Sequence, residues 1–235
     1  GSYSDNIDYV VGVSYFEQEM FVGERRDFGV ADIAGVTELF HDSIGIFAEL
    51  DFLVTDKTKI TLGARWTEES KDVVFNAIGS CQKDFSSCSG PSSGLERSGT
   101  FDDTTPKLAI THSLNDDVNI YASFTQGFRS GSFDARARTI DSFLNSQPGP
   151  EEVTSIEVGL KSTFNDGRIL LNVALFQADY DDIQKLALEE CEVNIDTCPS
   201  GRIQRLINAA KATIEGIEIE TKISITDQFS IEGSL

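Results

Sequence analysis

Four cysteines stand in two local pairs, Cys81 with Cys88 and Cys191 with Cys198, six residues between the members of each. Both pairs sit among Ser, Pro, Gly and Asp, the sequence of loops, so two short-range disulfides in an oxidising compartment are expected. Zinc is the rival chemistry, but no histidine lies near either pair and neither is a C-x-x-C; buried free thiols are a third reading. His41 and His112 are the only histidines, and neither has a Ser or Cys partner at a recognisable spacing. No Gly-rich phosphate loop, G-x-S-x-G or H-E-x-x-H occurs. No catalytic residue, cofactor or metal site is therefore expected. Asp179, Asp181 and Asp182, with Glu189 and Glu190 beyond, could offer oxygens to calcium but lack EF-hand spacing; solvated loop charge is the simpler reading. Arg129, Arg136 and Arg138 could draw in an anionic ligand, since guanidinium groups grip carboxylates in pairs of hydrogen bonds. Phe128, Phe133 and Phe143 lie among them and could line such a site, or pack their loop on itself.

Charge narrows the partners. Lys and Arg number 19 against 39 Asp and Glu, a formal charge of -20. Nucleic acid needs clustered cations, so it is not an expected partner. The longest apolar run, 169–176, is broken by Asn172 and falls far short of the ~20 residues of a membrane helix.

What must position these groups is a set of strands. Ile44, Ile46, Ala48, Leu50, Phe52 and Val54 alternate with a mostly polar set, and so do Ile60, Leu62, Ala64 and Trp66. The same period of two recurs in Ile156, Val158 and Leu160, in Ile169, Leu171, Val173 and Leu175, and in Ile217, Ile219, Ile223 and Ile225. About nine strands are predicted, near 7–19, 41–54, 58–77, 101–113, 118–128, 152–164, 168–183, 206–225 and 229–235. Tight Asn, Asp or Gly turns at 55–57, 115–117, 165–167 and 226–228 alternate with long links at 20–40, 78–100, 129–151 and 184–205.

In an up-and-down meander, alternate connections lie at one end. One end is thus trimmed, and the other carries long loops and both cysteine pairs. Long strands, one apolar face and loop lengths sorted by end together describe a transmembrane barrel. Lipid leaves no open backbone group satisfied, so such strands must close. The expected fold is all-β, an antiparallel meander forming part of a transmembrane β-barrel. A soluble secreted β-sandwich or adhesin-like binding domain is the alternative, and it would press its apolar faces together. An outer-membrane barrel enzyme is a further one, poorly served by the two histidines.

Several motifs now fall into order. Gly127-Phe128-Arg129 ends an aromatic strand; Pro150-Glu151-Glu152 opens the next, which carries Glu157-Val158-Gly159-Leu160-Lys161; Asn208 then leads to Gly216-Ile217-Glu218. Upstream stand Gly63-Ala64-Arg65-Trp66-Thr67 and Thr105-Pro106-Lys107-Leu108. In order and spacing these resemble the barrel of TonB-dependent outer-membrane receptors, over roughly residues 40 to 235. The resemblance implies import of a scarce nutrient, a ferric siderophore by default. The implied partners are the TonB complex, the ligand and outer-membrane lipid. Phe128, Arg129, Phe133, Arg136 and Arg138 are the candidate ligand contacts at the external end. The family's plug domain, TonB-contacting box and final aromatic residue are not read here. Residues 1–235 are therefore expected to be a middle segment of a ~22-stranded barrel.

Overall fold

A computed structural model describes the backbone of residues 1–27, 32–81, 85, 88–89, 92–135, 137, 140–193 and 201–235. Eleven strands and one short helix follow in chain order: β1 (Ser2–Ser4), β2 (Ile7–Asp27), β3 (Asp32–Thr55), β4 (Thr58–Cys81), β5 (Cys88–Ser89), β6 (Ser92–Asn115), β7 (Val118–Arg129), α1 (Ile140–Asn145), β8 (Glu151–Phe164), β9 (Ile169–Glu190), β10 (Arg202–Thr226) and β11 (Phe229–Ser234). All pair antiparallel with their sequence neighbours in one sheet, β5 standing aside as a two-residue partner of β4.

The nine long predicted strands are all present. Three of the predicted long links are shorter than expected, because β2, β3, β4, β6, β9 and β10 run on well beyond the apolar stripes. Past the stripes both faces carry polar residues, so alternation no longer marks the strand. Only the link between β7 and β8 keeps its predicted length. At the trimmed end, Asn165 and Asp166 take φ of 56° and 54° ahead of Gly167 at 79°, conformations that Asn, Asp and Gly tolerate best.

The ladders set the apolar residues side by side. Ile7, Phe52, Ile60, Ile110, Ala122, Val158, Leu175 and Ile217 form one continuous row across eight strands. Such residues are not packed against a second sheet: Val13 is 69% exposed and Ile217 58%. A soluble sandwich would have buried them.

The band they form is oblique to the strands. The stripe Ile60–Trp66 on β4 is centred on Gly63, from which the ladders lead through Lys107, Thr125, Ser155 and Ala178 to Ile214 on β10. The stripe on β10, 217–225, is instead centred on Thr221, seven residues further on. Seven residues over five strand steps, at ~3.4 Å per residue and ~4.8 Å per strand, is a tilt of roughly 45°. On β3 the stripe from Ile44 to Val54 then stands about 24 Å tall along the band normal. Both values are those of a strand wall that keeps an apolar belt level in a bilayer.

The other face is wet and cross-linked. Lys107 Nζ lies 2.7 Å from Glu49 Oε2, Lys59 Nζ 2.9 Å from Asp51 Oδ2, Asn172 donates to Glu220 at 2.9 Å, and Tyr121 donates to Glu157 at 2.6 Å. Glycines let the large side chains lie flat there. A Cβ on Gly159 would sit 2.6 Å from the Tyr121 ring, and one on Gly216 2.9 Å from Phe176.

Candidate functional site

The site is built where the wall is interrupted. β7 pairs with β6 only as far as Thr125 opposite Lys107, so the upper part of β6 has β4 as its one ladder partner. On the other side the β8–β9 ladder stops at Glu152 opposite Asp181, and β9 continues to Glu190 paired with β10 alone. Two short strands between longer ones leave a notch at the long-loop end. Residues 130–135, 137 and 140–150 fill it.

One side of this segment is apolar. Phe133, Ala137 and Phe143 pack with Val73 and Phe75 of β4, flanked by Leu39 and Leu95. Phe143 is 0% exposed and stacks on Phe75, ring centroids 4.5 Å apart and 8° from parallel. Arg97 of β6 lies over the Phe133 ring at 5.1 Å and donates to the Phe143 carbonyl at 2.8 Å and to Gln147. The strand turns its inner face from polar to apolar at Val73 and Phe75, and that change gives the segment something to sit on.

Its edges are polar and hydrogen-bonded to the wall. Gln184 Nε2 donates to the carbonyls of Ser130 (2.8 Å) and Gly149 (3.2 Å), and Gln184 Oε1 accepts from Ser132 Oγ at 2.9 Å. Asn208 Oδ1 accepts from the Gly149 amide at 2.7 Å, while its Nδ2 donates to the carbonyls of Gly149 and Asp182. Arg205 forks between Asp141 (2.7 Å) and Glu189 (2.8 Å). Ser146 is fully buried and accepts from the Leu206 amide at 3.1 Å.

At the other margin a single carboxylate oxygen collects three partners. Glu69 Oε2 lies 3.0 Å from His41 Nε2 and 3.2 Å from Lys71 Nζ, and accepts from Ser130 Oγ. Lys71 also donates to Ser130 Oγ and, at 3.0 Å, to the Gly131 carbonyl. Burial pushes the Glu69 carboxyl up, but the Ser130 hydrogen bond and the Lys71 ammonium outweigh it and hold the group below its ordinary range. Gly131 admits the Phe101 ring, which a Cβ would meet at 2.1 Å.

The candidate ligand residues are spread over this region. Phe128 is half-buried near the end of β7, opposite Glu152. Arg129 is exposed, its Nη1 3.9 Å from Glu151 Oε2. Phe133 is buried in the apolar cluster. Arg136 and Arg138 lie outside the described residues. Cys81 and Cys88 are register partners on β4 and β5, their side chains outside the described set. Cys191 is disulfide-bonded, and Cys198 is not described. The acidic run is engaged locally: Asp179 accepts from Thr213 at 2.6 Å and Gln177 at 2.9 Å, and Asp181 pairs with Lys211 at 2.5 Å. Among the described residues no group of three His, Cys, Asp or Glu is placed to hold a metal. The His41–Glu69–Lys71–Ser130 cluster was not anticipated. Its members come from three elements, and the only trace in sequence is Glu69 and Lys71 at alternate positions of one strand face.

The family model for the TonB-dependent receptor-like β-barrel matches residues 3–234. The ferric-pyoverdine 358 receptor of Pseudomonas putida is 27% identical over 140 residues, 59% of this chain and 15% of that protein. Among solved structures, the ferric yersiniabactin uptake receptor FyuA of Yersinia pestis superposes with a TM-score of 0.77 at 18% identity, covering 99% of this chain and 32% of FyuA. The siderophore receptor PiuA of Acinetobacter baumannii gives 0.67 at 15% identity, covering 97% of this chain and 35% of PiuA. The chain thus spans about a third of those solved receptors and less of the curated relative. With its level apolar belt and wet inner face, it belongs to the TonB-dependent receptors, as part of their β-barrel in the bacterial outer membrane.

Proposed function

We propose that the receptor to which this chain belongs imports a ferric siderophore across the outer membrane, drawing its energy through TonB. The observation that carries this reading is the pairing of a lipid-embedded, polar-lined wall with relatives named as receptors of ferric pyoverdine and ferric yersiniabactin. In this reading residues 1–235 are a middle segment of the barrel, supplying wall and mouth. The plug that contacts TonB is contributed by another part of the protein. The polar inner face lets a hydrated ligand pass without meeting hydrocarbon. Arg129 raises the local concentration of an anionic ferric complex at the mouth, with its chain neighbour Phe128 as an apolar contact; Arg136 and Arg138, outside the described residues, are assigned the same role by charge alone. Phe133 acts indirectly, by packing the stretch that follows Arg129 onto β4. The chain performs no bond-making step. Disulfides Cys81–Cys88 and Cys191–Cys198 brace the external links; peptide mass spectrometry of the unreduced protein is expected to find these two linkages and no others.

The test is uptake of radioactive iron by cells carrying the full-length receptor, across a panel of ferric siderophores. Accumulation of at least one complex is expected, with loss on deleting TonB or adding a protonophore. Equal accumulation with and without the receptor across the panel would overturn the import reading.

A further inference from the structure

The 130–150 segment has the position of an external loop and the packing of a core. It holds the most buried aromatic residue of the described chain, Phe143 at 0% exposure, and buried serines at 130, 142 and 146. Each of these serines has a named partner: Ser130 with Glu69 and Lys71, Ser142 with the Gln204 carbonyl at 2.5 Å, and Ser146 with the Leu206 amide. The segment is held from both sides of the notch. Glu69 and Lys71 hold Ser130 and Gly131 to β4, Gln184 of β9 holds both Ser130 and Gly149, and Arg205 and Asn208 of β10 hold Asp141 and Gly149.

We propose that the described residues of 130–150, namely 130–135, 137 and 140–150, are a constitutive strap, docked before any ligand arrives, that joins the two parts of the wall where β7 and β8 stop. Glu69 and Arg205 are its positioning residues, Glu69 at Ser130 and Arg205 at Asp141. Both are half-buried and engage several partners at once, so each ties its part of the strap to wall strands that the bilayer already fixes. The mouth then meets its ligand as a preformed surface, and ligand contacts need not supply the ordering of this stretch. The strap does not depend on which ligand is imported, or on import at all.

Hydrogen exchange with mass spectrometry on the full-length receptor in detergent, with no ligand added, tests it. Peptides covering 140–150 are expected to exchange with the slow amides of β8, about 100-fold slower than the turn peptides at 55–57 and 115–117. Glu69→Gln is expected to speed exchange around 130–135, and Arg205→Met around 140–147, each about 10-fold, with β3 and β4 protection unchanged. Glu69→Asp should restore part of the protection, and Arg205→Lys should restore less, because the ammonium lacks the planar, pre-set N–H groups that Arg205 aims at Asp141 and Glu189. Glu17→Gln, on an exposed carboxylate of β2, is the silent control. Exchange of 140–150 in the parent protein at the rate of the turn peptides would overturn the strap. So would variants at both ends that leave exchange unchanged while β3 and β4 remain protected.

Discussion

The membrane wall and the mouth solve the same burial problem with opposite materials. In the wall, Val13, Ile156 and Ile217 are exposed on the chain itself and rely on lipid to cover them. In the mouth, Val73, Phe75 and Phe143 are covered by protein, because they lie on the inner side of the wall, which lipid does not reach. The wall therefore needs only apolar character on alternate residues, whereas the mouth needs shape. A side chain in the wall is replaceable by another of like polarity. A side chain in the mouth has a specific neighbour to lose.

The largest single effect is expected in the mouth. Phe143→Ala removes a fully buried ring stacked on Phe75, and local stability of the 130–150 segment should fall by roughly 3–5 kcal/mol. Proteolytic nicking within 130–150 should appear while the barrel strands stay resistant. Co-loss of the barrel would mean that the segment and the wall fold as one unit, erasing the contrast between the two regions.

The wall should respond to polarity and face. Leu175→Arg points a charge into the belt at a position facing Val158 and Ile217, and should cost about 2–4 kcal/mol if it lies near the bilayer midplane. Thr111→Arg, on the wet face between Lys59 and Tyr121, should cost about 1 kcal/mol or less. Folding yield into lipid vesicles, read by heat-modifiable electrophoretic mobility, compares the two. Equal effects would show that the faces are not divided between lipid and lumen as the belt requires.

The two regions also differed in how far they could be read. The wall repeats one rule, so Ile60 to Trp66 and Ile217 to Ile225 marked their strands, and the alternation of tight turns with long links set the topology. The strand extensions past the belt were missed because residues such as 24–27 on β2 and 96–100 on β6 are polar on both faces, and period two vanishes when neither face is apolar. The mouth was hardly legible. Phe133 and Phe143 were open between lining a ligand site and packing the loop, and nothing local decides that; the answer rests on Phe75 and Arg97, dozens of residues away in sequence. Glu69, Lys71 and Ser130 converge only because β7 stops short and returns the chain to β4. The alternating stripes carried no sign of that notch.

The smallest effect, and the one that most sharpens the contrast, is with pH. Glu69 lies three residues beyond Trp66, above the belt, and its carboxyl is held below its ordinary range by Ser130 and Lys71 despite the opposing effect of burial. A carboxyl lowered in the folded state stabilises that state above the unfolded value of ~4.3, and the contribution is lost as pH falls through the lower folded value. Docking of the 130–135 end should therefore hold from neutrality down to about pH 5 and weaken below about pH 4. In Glu69→Gln this acid-dependent step should disappear, leaving the variant's weaker docking flat across the same range. Exchange in 130–135, corrected for the intrinsic pH dependence of amide chemistry, reads it directly. The belt has no counterpart to this step, since Leu175, Val158 and Ile217 do not titrate. Acid that loosens belt and strap together would place the sensitive carboxylates in the lumen wall, at Glu49, Asp51 and their lysine partners, and would remove Glu69 as the local cause.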